Sequence, residues 1–138
     1  MTLAIEFENK LYAERIDPLQ ILPNTSHWVG KQYEPLQGSC MRYDSKTFRN
    51  HKHILNPRII KRTQEAFVVV RGSISITIFH ERTKVELGTL TAKAGEAIFV
   101  WDGFHEIEFL EKDTIAYEIK SGQFTTVQED KEFYDSTV

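Results

Sequence analysis

The chain is poor in the residues that staple a fold, cross a bilayer or coat a polyanion. Cys40 is the only cysteine among 138 residues, which excludes an intrachain disulfide and fits a reducing compartment. No apolar run approaches the ~20 residues of a membrane-spanning helix, so no such span is expected. Cations are not in excess either: 17 Lys and Arg stand against 20 Asp and Glu, for a net charge of −3. That balance argues against nucleic-acid and anionic-membrane partners, which want clustered Lys and Arg. The opening Met-Thr-Leu-Ala-Ile-Glu-Phe-Glu lacks the basic region of a signal peptide, so a cytoplasmic protein is expected. Internal repeats, low-complexity tracts, a helix-turn-helix segment and a convincing amphipathic helix are all missing from the sequence.

What remains is a strand pattern. Hydrophobic residues make up 41% and charged residues 27%, as in an ordinary globular protein, and the length fits one domain over residues 1–138. From 63 to 120, short segments rich in Val, Ile, Phe and Thr alternate with turn residues. Strands are expected at 65–71, 74–78, 85–90, 96–101, 104–110 and 114–119. Within them Ile74, Ile76 and Ile78 share one face, His105, Ile107 and Phe109 another, and Ile115, Tyr117 and Ile119 a third. Asp102-Gly103 marks a turn. In the less regular first half, strands are expected at 10–16 and 37–43, with Pro18, Pro23, Asn24 and Pro35 imposing loops between them. The expected organisation is N-terminal strands and loops over 1–44, a core over 45–120 and a polar tail over 121–138. The fold class is all-β, an antiparallel sandwich or barrel.

Two segments carry a resemblance. Ser45, five residues, His51-Lys52-His53, then Glu65, six residues and Gly72 form the first. Gly95, five residues, Trp101-Asp102-Gly103 and His105 form the second. Together they resemble the paired motifs of the cupin superfamily, from about Ser45 to Phe109. Three departures stand out. Trp101 replaces a proline, one residue rather than two separates Gly103 from His105, and eleven residues separate His53 from Glu65 where the family has three or four. The run from Thr63 to Gly72 and the closing Tyr117-Glu-Ile-Lys-Ser-Gly-Gln-Phe124 are similar to small cupins of bacterial surface-polysaccharide biosynthesis.

The resemblance implies a jelly-roll β-barrel, a homodimer paired through edge strands, and a sugar or sugar-nucleotide ligand. It also implies that His51, His53, Glu65 and His105 converge inside the barrel as ligands of a divalent transition metal (Fe, Mn, Ni, Zn or Cu), donors that suit such ions. In metal-free sugar isomerases and epimerases of the family, His and Tyr move protons beside a carbonyl. That role falls to His51, His53 or His105 as base and Tyr43 or Tyr117 as acid. Arg58, Arg62 and Arg71 are the candidates for a diphosphate, and Trp101 and Phe104 for the pocket wall. Plainer alternatives stand beside these. A His-x-His among Arg49, Asn50 and Lys52 also fits a solvated edge, and Glu65 also fits an ion pair with Lys61 or Arg62. Three functions follow: a proton-shuttling sugar isomerase or epimerase, a metal-dependent dioxygenase or isomerase, and a non-catalytic small-molecule-binding module.

Overall fold

The structure, a computed structural model, describes residues 3–30, 35–57, 60, 62–122, 126 and 131–133. Ten strands account for its regular structure: β1 (Leu3–Phe7), β2 (Lys10–Ile16), β3 (Thr25–Val29), β4 (Gly38–Arg42), β5 (Glu65–Arg71), β6 (Ser73–Phe79), β7 (Glu86–Lys93), β8 (Ala97–Val100), β9 (Phe104–Phe109) and β10 (Ile115–Lys120). One 3-10 turn, Pro18–Gln20, is capped by the Asp17 side chain on the Leu19 amide. The strands form a five-stranded sheet in the order β1-β2-β8-β5-β10, a three-stranded sheet β7-β6-β9, and a ribbon β3-β4. Every pairing is antiparallel. The all-β expectation stands. Among the described residues no pairing closes the sheets into a barrel, and no helix is long and apolar enough to cross a membrane.

The two larger sheets share one core, and the alternation of β6 explains why. Ile74, Ile76 and Ile78 are each 0% exposed, while Ser73, Ser75, Thr77 and Phe79 on the opposite side are half-buried. The three isoleucines pack with Leu90 and Ala92 of β7 against Ile5, Tyr12, Phe67, Val69, Ile98 and Val100 of the larger sheet. Each isoleucine buried in this way stabilises the fold by roughly 1.5–3 kcal/mol relative to leaving it in water. A smaller core lies on the outer face of the larger sheet. There the ribbon contributes Val29 and Cys40, which pack with Ile16, Ile21, Phe99 and Trp101.

Because β5 and β6 lie in different sheets, as do β8 and β9, the chain must turn sharply between them. Two glycines make these corners. Gly72 joins β5 to β6 at φ +78°, and Gly103 joins β8 to β9 at φ +89°, both in the left-handed region that side chains rarely adopt. A Cβ on Gly103 would lie 2.6 Å from the Phe79 carbonyl oxygen, and one on Gly72 would collide with Thr114 Oγ1. The Gly103 corner is further held by Asp102. Its Oδ1 accepts the Gly103 amide at 2.8 Å, and its Oδ2 receives Lys10 Nζ and Arg62 NH1.

Gly95 supplies an internal control, with φ +91° and nothing within 4 Å of an added Cβ. Gly95→Ala therefore carries only the backbone cost, about 1 kcal/mol, whereas Gly103→Ala adds a clash with backbone. Urea denaturation is expected to show Gly103→Ala as the more damaging by at least ~2 kcal/mol. Equal losses would mean that the corner is not packed as described.

Candidate acid–base site

The β8–β9 corner returns the chain across the core, so that His105 of β9 faces Glu65 of β5. Their parity decides this. His105 lies opposite Ile78 in the β6–β9 register and Ile107 lies opposite Ile76, so the imidazole is on the core side of its sheet. Glu65 shares the inner side of β5 with Phe67 and Val69, and lies opposite Val100 on one flank and Lys120 on the other. His105 Nε2 is 3.4 Å from Glu65 Oε1, and the His105 ring meets the edge of Phe67 at 6.3 Å between centres. β10 completes the group. Glu118 lies opposite Phe67, and its Oε1 is 3.0 Å from Lys120 Nζ.

Glu65 is 7% exposed, an expensive place for a carboxylate without partners. Gln64, immediately before it, fixes its position. The Gln64 side chain is fully engaged across the fold, Oε1 accepting the Leu36 amide at 3.1 Å and Nε2 donating to the Trp101 carbonyl at 3.2 Å. Its backbone exchanges bonds with Ser121 on both sides. Burial pushes the Glu65 carboxyl up, but His105, 3.4 Å away, and the Lys120 ammonium outweigh it. The net result is a carboxyl held below its ordinary value. Glu65 is thus an anion that holds and polarises an imidazole, and His105 keeps a second ring nitrogen for chemistry.

The structure brings together Glu65 and His105 and separates most of the other expected site residues from them. His51 and His53 are exposed on coil after β4, their rings 5.5 Å apart, and His51 Nδ1 is 2.8 Å from the Arg49 carbonyl. Residues 43–57 form no strand, so nothing carries the His-x-His to the wall of either sheet. Tyr43 bonds Ser26 Oγ at 2.8 Å and meets Phe48 edge-on, beside the ribbon. Tyr117 lies opposite Val68, on the face of the sheet away from Glu118, and is 66% exposed. Period-two alternation therefore removes it from the His105 side.

Of the basic candidates, Arg58 lies outside the described residues, as does Lys61. Arg62 bonds Asp102 at 3.1 Å rather than Glu65. Arg71 stands six residues along β5 from Glu65, about 20 Å away at strand rise, and donates to the Asp113 carbonyl at 3.0 Å. Trp101 is 4% exposed and stacks on Phe99 in the outer core. Phe104 alternates with His105 and lies opposite Phe79, with Lys84 Nζ 5.9 Å above its ring. Glu118, Lys120, Phe67 and Gln64 are the neighbours that the sequence did not announce.

The four expected metal ligands are not assembled. Among the described residues no three of His, Cys, Asp and Glu converge as a metal-holding group. Two hollows, of about 380 and 190 Å³, lie beside the ribbon and the outer face of the larger sheet, and neither touches Glu65 or His105. The pair sits instead at the open side of the sandwich, between the edge strands β9 and β10. Comparison with known proteins adds no assignment: no family model, no curated protein and no solved structure matches this chain.

Because burial is the largest single influence on Glu65 and opposes its ionisation, His105→Ala is expected to move the Glu65 titration midpoint upward, followed by carbonyl-detected NMR. The linkage has a definite sign. A depressed carboxyl contributes stability at neutral pH that is lost as pH falls from its ordinary value, 4.5, through its folded value. Glu65→Gln should thus narrow the stability gap from wild type as pH drops through that window. A Glu65 midpoint unmoved in His105→Ala would show that the two groups do not interact.

Proposed function

We propose that this chain is a small jelly-roll protein of the cupin type that moves a proton on a sugar or sugar-nucleotide, an isomerase or epimerase. The observation that carries this is the Glu65–His105 pair, a buried carboxylate holding an imidazole on an apolar wall. Such a pair is suited to removing a proton from carbon beside a carbonyl. Nε2–H directed at Glu65 leaves the Nδ1 lone pair as the base. The electrons move onto the carbonyl oxygen, and the proton returns to the same carbon or its neighbour. Epimerisation or ketoisomerisation results with no net oxidation. Phe67 and Ile107 give the apolar floor on which a sugar ring packs, and Glu118 and Lys120 give the groups that engage its hydroxyls.

Two sheets packed face to face over one core, with glycine corners at 72 and 103, support the jelly-roll assignment. So does the place of Glu65 and His105 at the positions where the family resemblance puts functional residues. Of the four ligands that the metal-dependent alternative needs, Glu65 and His105 meet, while His51 and His53 lie apart on exposed coil.

Deuterium exchange from solvent into a panel of nucleotide-linked keto-sugars, followed by proton NMR, tests the proposal. Exchange at a carbon beside a carbonyl is expected for wild type, falling by roughly 10²–10⁴-fold in His105→Ala. Glu65→Gln should be reduced as well, since the imidazole loses its orienting anion. Ligand binding without exchange would leave a binding module, and exchange that survives His105→Ala would remove the base from its role.

A further inference from the structure

The hollow of about 380 Å³ lies where the chain passes from β2 into β3, apart from Glu65 and His105. Ile16 and Ile21, 4% and 7% exposed, line it with apolar surface, and Asp17, Gln20, Thr25 and His27 line it with polar groups. Local bonds fix this arrangement. Asp17 Oδ1 accepts the Leu19 amide at 3.0 Å and so starts the turn at Pro18–Gln20, and Ile21 then joins Ile16 in the outer core. Thr25 Oγ1 donates to the Leu22 carbonyl at 2.6 Å, which holds the start of β3 beside the turn. The volume is near the lower end of the range that small-molecule sites span, about 300–1,000 Å³.

We propose that this hollow binds a neutral polyhydroxyl ligand, a free mono- or disaccharide, at a site separate from the acid–base pair. The polar groups select the class. Gln20 and His27 make no side-chain hydrogen bond among the described residues, and between them they offer both donors and acceptors. Asp17 and Thr25 each keep acceptor capacity beyond the bond that they already make. A wholly apolar ligand would cover these groups and leave them unpaired, which costs free energy. An anionic ligand would meet the Asp17 carboxylate. A cationic one would meet Arg42, which lies opposite Thr25 and donates to the Ile21 carbonyl at 2.7 Å. With those two charges offsetting each other, a neutral ligand with several hydroxyls satisfies the polar groups while its C–H face packs on Ile16 and Ile21. The site does not depend on the isomerase reading, because the hollow touches neither Glu65 nor His105.

Amide NMR of the full chain, titrated with glucose, galactose and maltose beside glucosamine and glucuronate, tests this. Saturable shifts are expected from Ile16 to Leu22 and from Thr25 to His27 with at least one neutral sugar at millimolar concentration, and weaker ones with the charged sugars. Gln20 and His27 are exposed, so circular dichroism should not distinguish Gln20→Ala or His27→Ala from wild type. Each should raise the dissociation constant roughly 3–10-fold, the loss of about one hydrogen bond. His105→Ala should leave the shifts in place, which separates this hollow from the acid–base site. Four results would each overturn the proposal: no saturable shift in the hollow with any of the neutral sugars, tighter binding of glucosamine or glucuronate than of glucose, an affinity indifferent to both Gln20→Ala and His27→Ala, or shifts that vanish in His105→Ala.

Discussion

Burial of Ile74, Ile76 and Ile78 between two sheets is the constraint on which the rest of this structure depends. The larger sheet has an apolar inner face and cannot leave it in water. The three-stranded sheet has nothing else to pack against. Once the sheets are stacked, the order of strands along the chain forces β5 into β6 and β8 into β9 across the gap between sheets. Only residues free to adopt positive φ without a side chain fit those corners, and Gly72 and Gly103 stand there. The Asp102 carboxylate fixes the second corner by taking the Gly103 amide and two cations. The candidate site follows from the same geometry. His105 is the second residue after the corner, and its parity sets it on the Ile76–Ile78 side of its sheet, at the exposed rim beside Glu65.

The electrostatics of the site come from the same packing. A carboxylate at the start of β5 is buried because Gln64 pins the strand there, and burial alone would favour its protonated form. The partners on β9 and β10 reverse that outcome. An ion held in this way is an orienting group, and the residue that it orients is the one available for chemistry. The metal-ligand set implied by the cupin resemblance would need His51 and His53 to join this pair, yet they stand on exposed coil with Ile54 and Leu55, 81% and 95% exposed.

Periodicity carried the second half of the chain well. The expected strands at 65–71 and 74–78 lie on β5 and β6, and those at 96–101, 104–110 and 114–119 lie within about a residue of β8, β9 and β10. The strand at 10–16 is β2, whereas β1 and β3 were not anticipated. Thr25-Ser-His-Trp-Val29 is a short strand between prolines, paired among the described residues with β4 alone, so local pattern gives it little support. The faces were harder than the strands. Ile74, Ile76 and Ile78 point inward as apolar residues usually do, but on β10 the apolar side points outward and Glu118 and Lys120 face the interior group. Sequence parity put Tyr117 with Ile115 and Ile119 correctly and gave no means of choosing which face is the inner one. Glu65 and His105 were legible because an acid and an imidazole interrupt apolar strands at matched parity. Arg62 and Arg71 meet Asp102 and Asp113, 40 and 42 residues further along the chain, and Trp101 stacks on Phe99 two residues before it, partners that local pattern does not announce.

The corner at Gly103 brings His105 into direct interaction with Glu65, and a double-mutant cycle measures that interaction without reference to any substrate. Wild type, Glu65→Gln, His105→Ala and the double variant would be compared by urea denaturation at neutral pH. A coupling energy of roughly 0.5–3 kcal/mol is expected, the range for residues that share a contact. Additive effects, within the ~0.3–0.5 kcal/mol typical of independent sites, would contradict it.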